Sequence, residues 1–213
     1  MITSVNMSTK SVNLLQMRGL SEQQVNDFSA LLDKAKSQQQ EDVSAKQVLA
    51  EMSQDELALL QKATSLAASI KVNSLSQEAA INLLDQPDRT GMVDLNNDGI
   101  VEVGAARTMS FPPVNAPARV HAAWETATAD LSEWDKATLE LTMHISVYGV
   151  EINGQSTKQP LSPEQQWSKK GVEEWLATGR AGIEFDVNLN GWTRWNIVKQ
   201  DFFNRFETAI DNK

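Results

Sequence analysis

Asp94, Asn96, Asp98 and Glu102 stand in one short segment, Asp94-Leu95-Asn96-Asn97-Asp98-Gly99-Ile100-Val101-Glu102. Oxygen-bearing side chains occupy alternate positions, and a glycine follows the third of them. A short loop built this way can wrap a hard cation. Calcium takes about six to eight oxygen ligands at roughly 2.3–2.6 Å and tolerates irregular geometry. The candidate ligand set is Asp94, Asn96, Asp98, the backbone carbonyl of Ile100, and Glu102. A competing reading needs no ion: Asp and Asn side chains also accept hydrogen bonds from amides two residues on, forming Asx-turns.

This spacing resembles the loop of EF-hand proteins and the wider group of Asp-x-Asn-x-Asp-Gly calcium loops. On that pattern Asp94, Asn96 and Asp98 fill positions 1, 3 and 5, Gly99 fills 6 and Ile100 lends its carbonyl from 7. The resemblance covers residues 94–102 and no more. Position 12 is Ala105, so the bidentate glutamate is missing. Pro87 and Gly91 interrupt the incoming flank, and Phe111-Pro112-Pro113 follows soon after. Glu102 at position 9 is closer to the hairpin calcium loops of integrin-type propeller repeats. The resemblance implies calcium as cofactor, preferred over magnesium, with an affinity of roughly 10⁻⁵–10⁻³ M. A fainter echo, Asp186-Val187-Asn188-Leu189-Asn190-Gly191, reads as a turn and helix cap, or as a second degenerate site.

Other chemistries have thinner support. The chain has no cysteine, which excludes disulfides, thiolate metal sites and cysteine nucleophiles. His121 and His144 are the only histidines, on separate expected helices, so a zinc site would need tertiary convergence. No nucleophile elbow, phosphate-binding glycine loop or His-Glu-x-x-His motif is present. Glu102, Glu125, Glu173 and Glu174 could serve acid–base hydrolysis, but none has a diagnostic partner in sequence. Trp167 with Trp175, and Trp192 with Trp195, have spacings that face a core more often than a sugar.

The elements that must position the loop are helical. Ser21-Glu22-Gln23-Gln24 and Ser53-Gln54-Asp55-Glu56 have capping-box spacing. Val25, Phe28, Leu31, Leu32 and Ala35 follow the first at helical period; Leu59, Ala63, Leu66 and Ile70 follow the second. The run 37–42 is polar and reads as a link to a short helix holding Val48, Leu49 and Met52. Ser76 caps a helix through Leu84. Strand is expected near 92–93, 100–103 and 147–152. A helix starts at Pro117, and another runs from Ser132 to Gly149. A further helix opens at Ser162 with Gly179 as C-cap, and the last carries Trp195, Phe202 and Phe206 on its inner face. The fold class is mostly α, with a small β-like insert at the calcium-type loop.

Three stretches follow: a polar, flexible N-terminus over 1–20; an aliphatic helical half over 21–110, ending in the loop; and an aromatic-rich helical half over 111–213. The two halves are separate or form one domain. Phe28 is the one aromatic before residue 111.

The formal charge is −9, spread evenly: residues 1–110 hold 9 Lys and Arg against 14 Asp and Glu, and residues 111–213 hold 10 against 14. Without a basic block, nucleic-acid binding has no electrostatic footprint. No apolar run approaches the roughly 20 residues of a membrane span. The N-terminus lacks the apolar stretch of a cleavable signal, so a cytoplasmic protein or signal-less export is expected. The leading functional expectation is a non-enzymatic calcium-binding structural or protein-interaction protein. Its ion would staple the loop, and its helices would meet a protein partner. The alternatives are a small Asp/Glu hydrolase and a bacterial exported or assembly-associated helical protein.

Overall fold

The computed structural model describes residues 7–39, 43–153 and 155–211. The chain is mostly helical, and it divides into two compact units. The first comprises residues 1–95 and 101–108; the second comprises 96–100 and 109–213.

In the first unit, α1 (Thr9–Met17), α2 (Glu22–Gln39), α3 (Ala45–Ala50), α4 (Gln54–Thr64) and α5 (Gln77–Leu83) surround an aliphatic core. Both capping boxes read from the sequence close as expected. Ser53 Oγ accepts from the Glu56 amide, and the Glu56 carboxylate accepts from the Ser53 amide at 2.7 Å. Ser21 and Gln24 do the same. Phe28, Leu31, Leu32 and Ala35 are buried on α2, which packs on α1, α3 and α4.

Part of the N-terminal stretch is ordered, against expectation. Ser8 caps α1, and its hydroxyl and amide engage Asp88 and Gln86. Leu15 and Leu20 are buried. A polar sequence forms a helix here because its Ser8 cap is satisfied and Leu15 turns into the core, although Met17 stays exposed. The link expected at 37–42 also starts later, since α2 continues to Gln39. Residues 40–42 lie outside the described residues.

The second unit holds α6 (Ala118–Thr128), α7 (Glu133–Tyr148), α8 (Pro163–Gln166), α9 (Lys169–Asn190) and α10 (Arg194–Asp211). Its core is aromatic. Trp175 meets Phe203 at 5.7 Å and Phe206 at 5.3 Å between ring centroids, edge to face. Phe111, placed by the sequence in a connector, is buried in this cluster against Trp124 and Trp175. Phe202 and Phe206 are buried as expected, with Trp195 half-buried against them; Phe203, unremarked in sequence, is equally buried.

Two differences concern α9. Gly179 does not end it but lies mid-helix, where a Cβ would sit 2.2 Å from the Phe203 ring. That glycine lets α10 approach closely. The segment Asp186–Asn190 is the last turn of α9, not a loop. Asp186 Oδ1 accepts from Asn190 Nδ2 at 2.7 Å, four residues on. In a helix positions 1 and 5 share a face while position 3 points to the far side, so Asn188 cannot join Asp186 and Asn190 round an ion.

Among the described residues strand is confined to two hairpins: β1 (Ile100–Val103) with β2 (Ala106–Met109), and β3 (Glu151–Ile152) with β4 (Gln155–Ser156). The second strand of the latter was not legible in sequence. No strand forms at 92–93.

Candidate cation loop and exposed helical faces

Segment 94–102 is held at its base by α5. Ser76 caps that helix by accepting from the Ala79 amide. Two residues beyond the cap, the buried Glu78 carboxylate accepts from the Leu95 amide on one oxygen and the Glu102 amide on the other, both at 2.8 Å. One turn further, fully buried Asn82 donates to the carbonyls of Val93 at 2.8 Å and Glu102 at 2.9 Å, and accepts from the Val93 amide at 2.8 Å. Both flanks of the segment are thus pinned by buried side chains that satisfy backbone groups. This also explains the absent strand at 92–93: Asn82's amide takes the bonds that a neighbouring strand would otherwise make with Val93.

The middle of the segment is a chain of Asx-turns. The Asp98 amide donates to Asn96 Oδ1 at 3.0 Å, and the Ile100 amide donates to Asp98 Oδ1 at 2.8 Å. Asn96 Nδ2 donates to Asp98 Oδ2 at 3.1 Å. Asn97 and Gly99 have left-handed φ of 56° and 76°. Gly99 is needed for a second reason, since a Cβ would sit 2.3 Å from the Tyr148 ring and 2.7 Å from His144. Asn97 accepts from Asn115 Nδ2 at 2.6 Å.

The five expected ligand residues have different surroundings. Asn96 and Asp98 are joined directly. Ile100 follows Asp98 through its amide, leaving its carbonyl as the expected donor. Asp94 is buried, with 3% of its surface exposed. Glu102 points elsewhere: Ser76 Oγ donates to one of its oxygens at 2.5 Å, and Arg107 lies 3.5 Å from the other. Among the described residues no three His, Asp or Glu side chains form a metal-binding group. An ion in this loop would therefore draw on the Asn96 side chain and the Ile100 carbonyl as well as carboxylates. The donor set fits calcium in kind. A carboxylate oxygen that accepts one amide keeps lone-pair capacity for a cation.

Glu78 and Asn82 were missed in sequence. An acid in a first helical turn is commonplace and carries no signal. Asn82 did leave one: asparagine is unfavourable inside a helix, and here it sits between Ile81 and Leu83.

His144 is buried on α7, and its Nδ1 has no hydrogen-bond partner. Burial lowers its pKa below the ordinary histidine value, opposed by a hydrogen bond to the Ser110 backbone and by the Asp98 charge. His121 is lowered by burial as well. The carboxylates considered for hydrolysis have local roles. Glu173 and Glu174 pair with Lys169 and Lys170 one turn earlier. Glu125 lies one turn beyond His121 on α6, and its charge opposes that lowering.

Among the described residues the second unit carries most of the exposed large apolar side chains. On α7 these are Trp134, Leu141 and Ile145; around the α9–α10 turn they are Phe185, Leu189, Trp192 and Ile197. Trp167 and Trp175 are core residues. No helix among the described residues is long and apolar enough to cross a membrane. Neither a protein-family model, nor a curated protein, nor a solved structure matches this chain.

Proposed function

We propose that this chain is a non-catalytic calcium-binding protein whose exposed helical faces engage a protein partner. The observation that carries the calcium reading is the turn Asn96–Ile100, in which left-handed Asn97 and Gly99 bend the backbone and the Asn96 and Asp98 side chains meet at 3.1 Å. A loop already ordered forfeits little conformational entropy when an ion binds. The ligands are Asp94, Asn96, Asp98 and the Ile100 carbonyl; Glu102 joins only by leaving Ser76 and Arg107. With Ala105 where a bidentate anchor would stand, binding is weak, in the range of roughly 10⁻⁵–10⁻³ M. The exposed apolar side chains of α7 and the α9–α10 turn support the partner reading, since contiguous apolar surface on a soluble protein marks interaction sites.

Thermal unfolding tests the calcium reading. A ligand held only by the folded state raises its stability by mass action. Several millimolar calcium should raise the melting temperature of the wild type and leave Asp98→Ala unmoved. No rise in the wild type would leave the segment as an Asx-turn alone.

A further inference from the structure

We infer that the cleft between α9 and α10 binds a small organic ammonium ion with an aromatic or aliphatic body; this goes beyond the proposed function and depends on neither calcium nor a protein partner. Gly179 lets the two helices meet where the Phe203 ring lies against its backbone. Between that contact and the turn at Gly191, α9 lines a cavity of about 250 Å³ with Arg180, Ile183, Glu184 and Val187. Their steps of three, one and three keep them on one face of the helix. Asn204 of α10 and the ring of Trp192, just past the turn, complete the walls. Trp192 is 58% exposed, so its indole is a lip of the cleft and not part of the core. A concave site with apolar walls and a few polar groups suits a small molecule. Sites for drug-sized ligands run to roughly 300–1,000 Å³, so this one takes something smaller.

Charge selects the ligand. Two ionic side chains border the cavity, and they are not equivalent. Arg180 is already engaged: Nη1 and Nη2 donate to the two carboxylate oxygens of Glu207 at 3.2 and 2.6 Å, and Nη2 donates to Asn204 Oδ1 at 3.5 Å. Among the described residues Glu184 has no hydrogen-bond or ion-pair partner. The uncompensated charge at the cleft is therefore negative, and the net charge of −9 has the same sign. An anionic ligand would have to displace Glu207 from a two-pronged pair. An ammonium meets Glu184 instead, and the face of an indole attracts a cation as well. Its apolar body then covers Ile183 and Val187. A lysine from a partner protein offers the same ammonium, but on a flexible stem with no ring to fill the cavity.

The test uses the full chain with 2-phenylethylammonium as probe. 2-Phenylethanol and 3-phenylpropionate are its neutral and anionic counterparts of similar shape. Binding is followed by NMR through the tryptophan indole N–H signals, with Trp192→Phe identifying that of Trp192. The ammonium should shift this signal saturably at millimolar concentration. It should bind at least fivefold more tightly than the alcohol, and the carboxylate should bind most weakly. N-acetyl-lysine amide, standing for a lysine of a partner, should bind at least fivefold more weakly than the ammonium probe. Glu184→Gln should reduce the preference for ammonium over alcohol to twofold or less. Glu125→Gln removes the same charge from α6, away from the cavity lining, and should preserve the preference. Both glutamates are exposed, and the melting temperature confirms a folded chain. An unmoved Trp192 signal, carboxylate or lysine amide binding as tight as the ammonium, or a preference that survives Glu184→Gln would overturn the inference.

Discussion

Asn82 and Val93 exchange a pair of hydrogen bonds, each 2.8 Å long: the asparagine amide donates to the valine carbonyl and accepts from the valine amide. A helix side chain thereby performs the service of a neighbouring strand. With its third bond, to the Glu102 carbonyl, Asn82 ties both ends of the cation loop to α5.

Asn82→Ala removes all three bonds at a fully buried position. Leaving a buried polar group unpaired costs about 1–3 kcal/mol, and small shifts or water will relieve part of the sum. The expected loss is about 2–4 kcal/mol in urea denaturation. The Val93 amide should also exchange with solvent faster than the core amides of α2. Unchanged stability would show that the latch does not hold the loop.

Gly99→Ala should destabilise by about 2 kcal/mol or more. A left-handed backbone costs a non-glycine residue on the order of 1–3 kcal/mol, and the added Cβ meets Tyr148 and His144 in addition. The paired variant Gly99→Ala, Tyr148→Ala should recover part of the loss in denaturant unfolding. If it recovers none, backbone strain alone accounts for the glycine.

His144 and Asp135 set opposite ends of the acid profile. Burial lowers the His144 pKa in the folded state, so its contribution to stability is present above the unfolded value near 6.5 and declines as pH falls below it. His144→Gln should flatten that part of a melting-temperature curve. Asp135 is paired with Arg194 and capped by Ser132, and its pKa falls to about 2. Its contribution is present above the unfolded value of about 3.9 and disappears as pH falls through about 2. Asp135→Asn should lower the melting temperature at neutral pH and leave it unchanged relative to wild type below pH 2.

Helix starts were legible because Ser-x-x-Glu and Ser-x-x-Gln spacing reports a local event, the capping of free amides. The inner face of α10 was legible because period alone selects it. What escaped was set by tertiary contact. Gly179 looks like a helix end and is instead a gap for the Phe203 ring. Asp186-Gly191 repeats the loop's spacing, yet its first five residues are the last turn of α9 and its glycine is the cap. The oxygen spacing of 94–102 was visible in full; that Glu78 and Asn82 pin its flanks, and that Ser76 and Arg107 hold Glu102, depends on a helix folding back on residues some 15 to 25 positions away.

Calorimetric titration of the protein with calcium and then magnesium decides whether the loop holds an ion. Calcium should give a saturable one-site isotherm in the range of roughly 10⁻⁵–10⁻³ M, with magnesium weaker because it demands near-octahedral geometry and releases water reluctantly. Asp98→Ala should abolish the calcium heat, while Asp186→Ala should retain it. A wild-type chain that gives no heat with calcium, or an Asp98→Ala chain that titrates like the wild type, would show that the loop is not a calcium site.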